Sequence, residues 1–207
     1  MRSLGIREFA FSWTSAIYGD QPGLLTEDAG PWEPISNYGA MRVASEAIVS
    51  AARETVLDRA WVFRFPNVIG PRAAHGAIYD FLQKMHANPA ELEVLGDGHQ
   101  EKPYLHVTEL VEAKVCITER AGAPHNTFNI GPDGSCTTVR HIAETVVAAA
   151  SPTATIRYPG GARGWPGDVP RFKYSIDKLK RLGWKPGLTS DEAVERTVRE
   201  LVSGRAY

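Results

Sequence analysis

Residues 9–46 read FAFSWTSAIYGDQPGLLTEDAGPWEPISNYGAMRVASE, and this stretch decides the fold. Its first five residues alternate aromatic and small side chains, which predicts a β-strand that runs into a loop at Thr14. From Tyr38 onward, apolar residues recur at spacings of three and four, which predicts an amphipathic helix. The apolar positions of that helix are Met41, Ala44, Ile48 and Ala52. Tyr38 and Arg42 are four residues apart and therefore share one face of the helix.

The pair formed by Tyr38 and Arg42 has a chemical use. A fixed cation beside a phenol favours the phenolate, which can act as a base at neutral pH. A hydroxyl at the end of the strand, such as that of Thr14, could pass a proton between a substrate and the phenolate. Spacing alone does not distinguish this use from a packed tyrosine beside a solvated arginine, so both interpretations stay open at this point.

The composition sets limits on partners and on location. The chain has 207 residues, of which 43% are apolar, and this suits one domain, or one domain with a small appendage. A formal net charge of -1 gives no electrostatic reason to expect nucleic acid or a membrane surface as a partner. The two cysteines form no C-x-x-C, and the six histidines show no metal-ligand spacing, so no metal is expected. Without a long apolar run or a signal-peptide pattern, a soluble cytoplasmic protein is expected.

Residues 9–46 resemble the catalytic core of the extended short-chain dehydrogenase/reductases, specifically the NAD-dependent nucleotide-sugar epimerases. In that family a hydroxyl-rich strand end precedes Val/Ile-Tyr-Gly, and a Tyr-x-x-x-Lys motif follows on the next helix. The resemblance implies that Thr14 and Tyr38 take the places of the catalytic hydroxyl residue and the catalytic tyrosine. Arg42 then stands where the family has a lysine that supports the tyrosinate and hydrogen-bonds the nicotinamide ribose. Arginine keeps the charge of lysine but carries a planar, bulkier fork.

Two further segments extend the resemblance. Residues 64–71, RFPNVIGP, are similar to the family motif Arg-x-x-Asn-(x)-x-Gly-Pro, which implies that Asn67 contacts the sugar nucleotide and that Phe65 lies near the nicotinamide. Residues 96–107, GDGHQEKPYLHV, resemble a motif whose arginine binds a phosphate of the nucleoside diphosphate. Lys102 stands in place of that arginine, and Tyr104 follows in the family position.

The last matching segment is RGWPGDVP at residues 163–170, which resembles the C-terminal signature of a subgroup of sugar epimerases. The resemblance implies that Asp168 contacts the nucleotide ribose. Trp165 falls where many relatives have a phosphate-binding arginine, so Arg163 is assigned that role instead.

The strand–helix alternation predicts an α/β protein. The resemblance implies the C-terminal part of a Rossmann-like doubly wound sheet plus a smaller mixed α/β substrate lobe. Residues 1–72 are expected to be the remaining part of the NAD-binding domain, with its catalytic threonine and tyrosine. Residues 73–207 are expected to be mainly the nucleotide-sugar lobe, with 107–131 returning to the Rossmann sheet. No G-x-G-x-x-G that opens a helix occurs in the sequence.

The function implied by the resemblance is NAD-dependent epimerisation of a nucleoside-diphosphate sugar, with a UDP-hexose as substrate. Sugar-nucleotide 4,6-dehydratases have Asp-Glu after the hydroxyl residue, whereas Ser15 and Ala16 follow Thr14 here, which disfavours dehydration. The alternative is a non-catalytic remnant that at most binds a sugar nucleotide or a partner. Relatives are often homodimers through the tyrosine helix, so a homodimer is a further expectation.

Overall fold

The structure is a computed structural model that describes residues 5–19, 21, 23–161 and 173–204. These residues form two units. The first takes its described residues from Met1–Pro66, Glu109–Gly134 and Phe172–Pro186. The second takes them from Asn67–Thr108, Ser135–Arg171 and Gly187–Tyr207.

The secondary structure alternates between strands and helices along the chain. The strands are β1 (Glu8–Thr14), β2 (Leu24–Leu25), β3 (Arg59–Phe65), β4 (Asn67–Ile69), β5 (Glu91–Glu93), β6 (Glu101–Lys102), β7 (Tyr104–His106), β8 (His125–Asn129), β9 (Thr137–Thr138), β10 (Thr155–Arg157) and β11 (Lys173–Tyr174). The α-helices are α1 (Asn37–Thr55), α2 (Ala77–Ala87), α3 (Val107–Arg120), α4 (Val139–Ala150), α5 (Asp177–Arg181) and α6 (Ser190–Val202). A short 3-10 helix, Ser15–Tyr18, follows β1.

The main sheet of the first unit is parallel, with the strand order β1-β3-β8. Because side chains alternate across a strand, the register partners Ser12 and Phe63 share one face of this sheet, and Trp13 and Arg64 share the other. Lys114 of α3 donates a hydrogen bond to Ser12 Oγ at 2.8 Å, so α3 covers the first face. Arg64 on the second face donates a hydrogen bond to the carboxylate of Glu46 in α1, so α1 covers that face. Helices on both faces of a parallel sheet make the doubly wound arrangement that was expected.

The apolar positions of α1 do not face the sheet. Met41 and Ile48 are each 69% exposed, whereas the buried positions of the helix are Gly39, Glu46 and Val49. Glu46 turns inward because its partner, Arg64, is itself buried on β3. Periodicity therefore predicted the helix correctly, but it did not indicate which face packs on the sheet.

A buried ion pair between Arg64 and Glu46 ties β3 to α1. The side chains of Arg64 and Glu46 are 2% and 5% exposed. Arg64 Nε donates to Glu46 Oε2 at 3.2 Å, and Arg64 Nη2 donates to Glu46 Oε1. Arg64 Nη1 donates to the hydroxyl of Tyr18 at 2.9 Å and to the carbonyl of Glu27 at 2.7 Å. One guanidinium thus fastens a strand, a helix and the loop that leads into α1.

The second unit has its own apolar core. Strands β4 and β7 pair in parallel, as do β5 and β10, while β6 and β9 pair in antiparallel. Helices α2, α4 and α6 contribute fully or nearly fully buried side chains, among them Phe81, Val146 and Val194. Thr189 begins α6 with a capping box, in which its side chain accepts from Glu192 N and the Glu192 carboxylate accepts from Thr189 N. Within the described ranges, no helix is both long and apolar enough to cross a membrane.

The buried ion pair generates the first prediction. Glu46→Leu leaves the Arg64 charge buried without its carboxylate, so the free energy of unfolding is expected to fall by about 3–5 kcal/mol. Urea unfolding measures the loss. The matched control is Glu54→Leu on the same helix, where the pair with Arg53 is exposed and worth about 1 kcal/mol or less. Equal losses in the two variants would contradict the assignment of Glu46 as a buried anchor.

Candidate active site

Thr14 lies at the carboxyl end of β1, the edge of a parallel sheet at which ligands bind in open α/β folds. Its side-chain oxygen accepts a hydrogen bond from Ala16 N at 3.2 Å and thereby caps the 3-10 helix that follows. The Thr14 hydroxyl keeps its own proton available for donation. The register partner of Thr14 is Phe65, at the carboxyl end of β3, so the two side chains share one face of the sheet.

Tyr38 lies in the first turn of α1 and is 52% exposed. Ser36 begins the helix, and its side chain accepts a hydrogen bond from Gly39 N at 3.1 Å. A Cβ on Gly39 would lie 2.8 Å from Pro34 Cβ and 3.0 Å from the carbonyl oxygen of Ala16. The start of α1 therefore packs against the turn after Thr14, and this contact depends on glycine at position 39.

Arg42 lies one helical turn after Tyr38, as the spacing predicted. Its guanidinium carbon is 4.6 Å from the centroid of the Tyr38 ring and 5.4 Å from the centroid of the Trp13 ring. In the described part of the chain, no hydrogen bond or ion pair to a protein group holds this guanidinium, so its N–H donors are available to a ligand.

The buried supports of this region were not found from the sequence. The Tyr18 hydroxyl donates to Asn129 Oδ1 at 2.8 Å, and Asn129 N donates to Glu27 Oε1 at 2.9 Å. Burial raises the pKa of Tyr18, while the neighbouring Arg64 acts in the opposite direction. Together these groups hold the loop between β1 and α1. A pattern search misses them because Tyr18 and Asn129 are 111 positions apart.

Phe65 is half-buried, and the Nζ atom of Lys114 lies 5.0 Å from the centroid of its ring. Lys114 Nζ also lies 5.8 Å from the Phe63 ring. Burial lowers the pKa of Lys114. Lys114 lies on the same face of the sheet as Phe65. The sequence did not indicate this contact, because Lys114 belongs to a helix more than forty residues after Phe65.

The second unit holds the other predicted site residues that the structure describes. Asn67 is exposed and is the register partner of Tyr104 across β4 and β7. Tyr104 is only 8% exposed and belongs to the apolar core, with its backbone N–H donating to Ser190 Oγ at 3.0 Å. Lys102 is half-buried on β6, opposite Thr137 on β9. The strands thus bring Asn67 and Tyr104 side by side, with Lys102 two residues before Tyr104.

Two polar side chains beside Lys102 were missed by the sequence analysis. Gln100 and Thr137 are 4% and 2% exposed, and their side-chain polar atoms have no hydrogen-bond partner within the part of the chain that the structure describes. Arg163 and Asp168, the remaining predicted substrate residues, lie outside the described residues. Among the residues with a described position, no group of three or more His, Cys, Asp or Glu side chains could hold a metal ion.

Comparisons with known proteins agree with the resemblance. The sequence model of the NAD dependent epimerase/dehydratase family matches residues 1–131. The chain is 26% identical over 199 residues to a Bacillus subtilis protein named as an uncharacterized UDP-glucose epimerase YtcB, covering 93% of this chain and 61% of that protein. It is 27% identical over 202 residues to a Streptomyces lividans UDP-glucose 4-epimerase, covering 90% of this chain and 60% of that protein.

Solved structures show the same fold. A crystal structure of UDP-galactose 4-epimerase has a TM-score of 0.86 and 33% identity, covering all of this chain and 66% of its own. The UDP-glucose 4-epimerase of Thermus thermophilus, solved as a complex with NAD, has a TM-score of 0.79 and 26% identity, covering 97% of this chain and 65% of its own. The expected Rossmann-like α/β fold is therefore confirmed. The chain spans 55–64% of the length of the three curated relatives matched first.

The close approach at Gly39 generates the second prediction. Gly39→Ala places a methyl group against Pro34 and Ala16, and overpacking of this kind is expected to cost about 1–3 kcal/mol in the free energy of unfolding. Chemical denaturation measures the cost. Gly122→Ala is the control, because its added Cβ meets nothing within 4 Å. A Gly39→Ala protein as stable as the Gly122→Ala protein would contradict the close packing at the start of α1.

Proposed function

Because the chain belongs to the NAD dependent epimerase/dehydratase family, we propose that it takes part in NAD-dependent epimerisation of a nucleoside-diphosphate sugar, with a UDP-hexose as substrate. The observation that carries the proposal is the arrangement of Tyr38 and Arg42 at the start of α1. The Arg42 guanidinium lies 4.6 Å from the Tyr38 ring, and the helix start packs on the turn that follows Thr14. The named relatives that support a UDP-sugar substrate are longer proteins than this chain.

The residues present fit the nicotinamide end of NAD. The N–H donors of Arg42, which have no hydrogen-bond partner among the described residues, suit the hydroxyl groups of a ribose. The half-buried ring of Phe65 offers an apolar surface at the carboxyl end of β3. When bound, NAD would supply reversible hydride transfer to and from the sugar carbon.

The protein residues carry the proton transfers. In the proposal, Tyr38 as a phenolate takes the proton of the sugar hydroxyl through the Thr14 hydroxyl and gives it back when the alcohol is re-formed. Arg42 stabilises the phenolate by its fixed positive charge. The exposure of Tyr38 supports this role, because a base must be accessible to its substrate.

Epimerisation is favoured over dehydration by the residues that follow Thr14. Elimination of water needs an acid and a base beside the reacting carbons. The turn after Thr14 begins with Ser15, which is 6% exposed, and Ala16, and neither provides a carboxylate. Relatives named as dTDP-glucose 4,6-dehydratases are similar to this chain in sequence, but we do not propose their dehydration reaction for it.

Residues of the second unit are proposed to bind the nucleoside diphosphate. Lys102 would contribute a positive charge to a phosphate, and the exposed Asn67 would hydrogen-bond the sugar nucleotide. Tyr104 keeps the substrate-binding role that the resemblance implies, although it is only 8% exposed. Arg163 and Asp168 keep the phosphate and ribose roles that the sequence resemblance implies. Binding energy from these remote contacts can be used at the reacting carbon.

The second candidate function is binding of a sugar nucleotide without turnover. The specific observation in its favour is Arg42, which replaces the family lysine and is engaged by two aromatic rings. A planar guanidinium stacked in this way does not reproduce the point charge of an ammonium group.

The third prediction separates these two functions. With NAD added, the chain is expected to interconvert UDP-glucose and UDP-galactose, and Tyr38→Phe is expected to lower kcat about 10²–10⁴-fold, because the phenol oxygen is lost. Calorimetric titration with UDP-glucose is expected to give the same affinity for both proteins. Binding of UDP-glucose without turnover by the unsubstituted chain would support the second function. Failure to bind either NAD or UDP-glucose would overturn both.

A homodimer through α1 is also proposed, and the exposed apolar face of that helix supports it. Met41 and Ile48 are two turns apart on one side of α1, and Ala44 between them lies on the same side. An apolar stripe of this kind is the usual signature of a helix that packs against another surface.

The fourth prediction tests the dimer. Met41→Glu is expected to shift a dimer toward monomer in sedimentation velocity, because it places a charge in the apolar stripe without touching the buried face of α1. Val111→Glu is the control, since Val111 is 55% exposed on a different helix. A protein that is monomeric before substitution, or a dimer that both variants leave intact, would contradict an interface at Met41.

A further inference from the structure

A row of three aromatic rings runs along one face of β1 and ends beside the candidate site. Phe9, Phe11 and Trp13 are at alternate positions, with ring centroids 5.9 Å apart for the first pair and 4.2 Å apart for the second. Trp13 is 2% exposed, and its indole N–H has no hydrogen-bond partner among the residues that the structure describes. A buried indole usually finds such a partner. The ring of Trp13 therefore occupies this position despite an unsatisfied donor.

Arg42 lies over Trp13, the last ring of that row. Its guanidinium carbon is 5.4 Å from the Trp13 ring centroid and 4.6 Å from the Tyr38 ring centroid, and both distances are within the range of cation–π attraction. The two rings come from different elements, since Trp13 is on β1 and Tyr38 is on α1. In the described ranges these rings are the groups that hold Arg42, because no hydrogen bond or ion pair to protein does.

The contact between Arg42 and Trp13 depends on the planar shape of the guanidinium. A planar guanidinium can stack on an aromatic face while its N–H groups point outward, whereas an ammonium group is compact and strongly hydrated. Arg42 can thus be fixed by Trp13 and still present its donors to a ligand. A lysine ammonium at this position could lie over the ring, but it would lack the planar surface that stacks on the indole. Trp13 and Arg42 are consequently a matched pair.

We propose that Trp13 is a positioning residue that holds the Arg42 cation beside Tyr38. This inference rests on the proposed function, in which Tyr38 is the acid–base group. Trp13 touches neither substrate nor cofactor in the proposal, and it acts on Tyr38 only through Arg42. It also gives a physical reason for arginine in place of the family lysine, because a planar guanidinium stacks on the indole and an ammonium group does not.

The fifth prediction tests this coupling without substrate, cofactor or turnover. The chemical shift of the Arg42 Hε proton is followed by nuclear magnetic resonance, because a proton held over an aromatic ring is displaced upfield by the ring current. Trp13→Leu is expected to move this resonance back toward the ordinary arginine position, because the cation loses one of the two rings that hold it. Trp13→Phe, which keeps a ring, is expected to retain most of the displacement.

The controls separate positioning from general damage to the fold. Phe9→Leu removes a ring from the far end of the same row and is expected to leave the Arg42 resonance unchanged. An Arg42 resonance that Trp13→Leu does not move, or that Phe9→Leu moves equally far, would overturn the proposal.

A measurement on the unsubstituted chain covers the case in which Trp13→Leu does not fold. The Hε resonance of Arg42, assigned by its loss in Arg42→Gln, is expected to be displaced upfield by the ring currents of the two aromatic groups. An Hε resonance at the ordinary arginine position would overturn the proposal. Because these readouts need no turnover, they can fail while the proposed epimerisation stands, and the reverse also holds.

Discussion

The buried guanidinium of Arg64 is the constraint on which the rest of the first unit depends. It binds the Glu46 carboxylate of α1, the Tyr18 hydroxyl and the Glu27 carbonyl, and it lies 4.9 Å from the Trp32 ring centroid. A charge this deeply buried is tolerated only when its donors are matched by acceptors. The position of α1 on the sheet, and of the loop before it, follows from that requirement.

The candidate site lies at the N-terminal end of α1. Arg64 and the loop between β1 and α1 fix the position of this end. Gly39 allows the helix to approach the turn after Thr14, and Ser36 begins the helix there. The site therefore combines the end of β1, a tight turn and the first turn of α1. Arg42 is held differently, by aromatic rings rather than by hydrogen bonds within the described part of the chain, which keeps its donors free for a ligand.

Local periodicity was sufficient to predict β1, α1 and the spacing of Tyr38 and Arg42, because each depends on residues close in the sequence. The same periodicity did not identify the face of α1 that packs on the sheet. A hydrophobic pattern ranks Met41 and Ile48 above Glu46 for burial, but the ranking ignores a buried partner elsewhere in the chain. Arg64 supplies that partner from 18 positions away.

The sequence by itself determined the family, the parallel α/β architecture and the chemical groups at the candidate site, because motifs and alternation are local properties of the chain. Only the tertiary structure decided which side of α1 is buried, that Tyr104 lies in an apolar core, and that Trp13 meets Arg42. These outcomes depend on distances and desolvation between residues far apart in the sequence. Their energies exist only after the strands and helices have packed together.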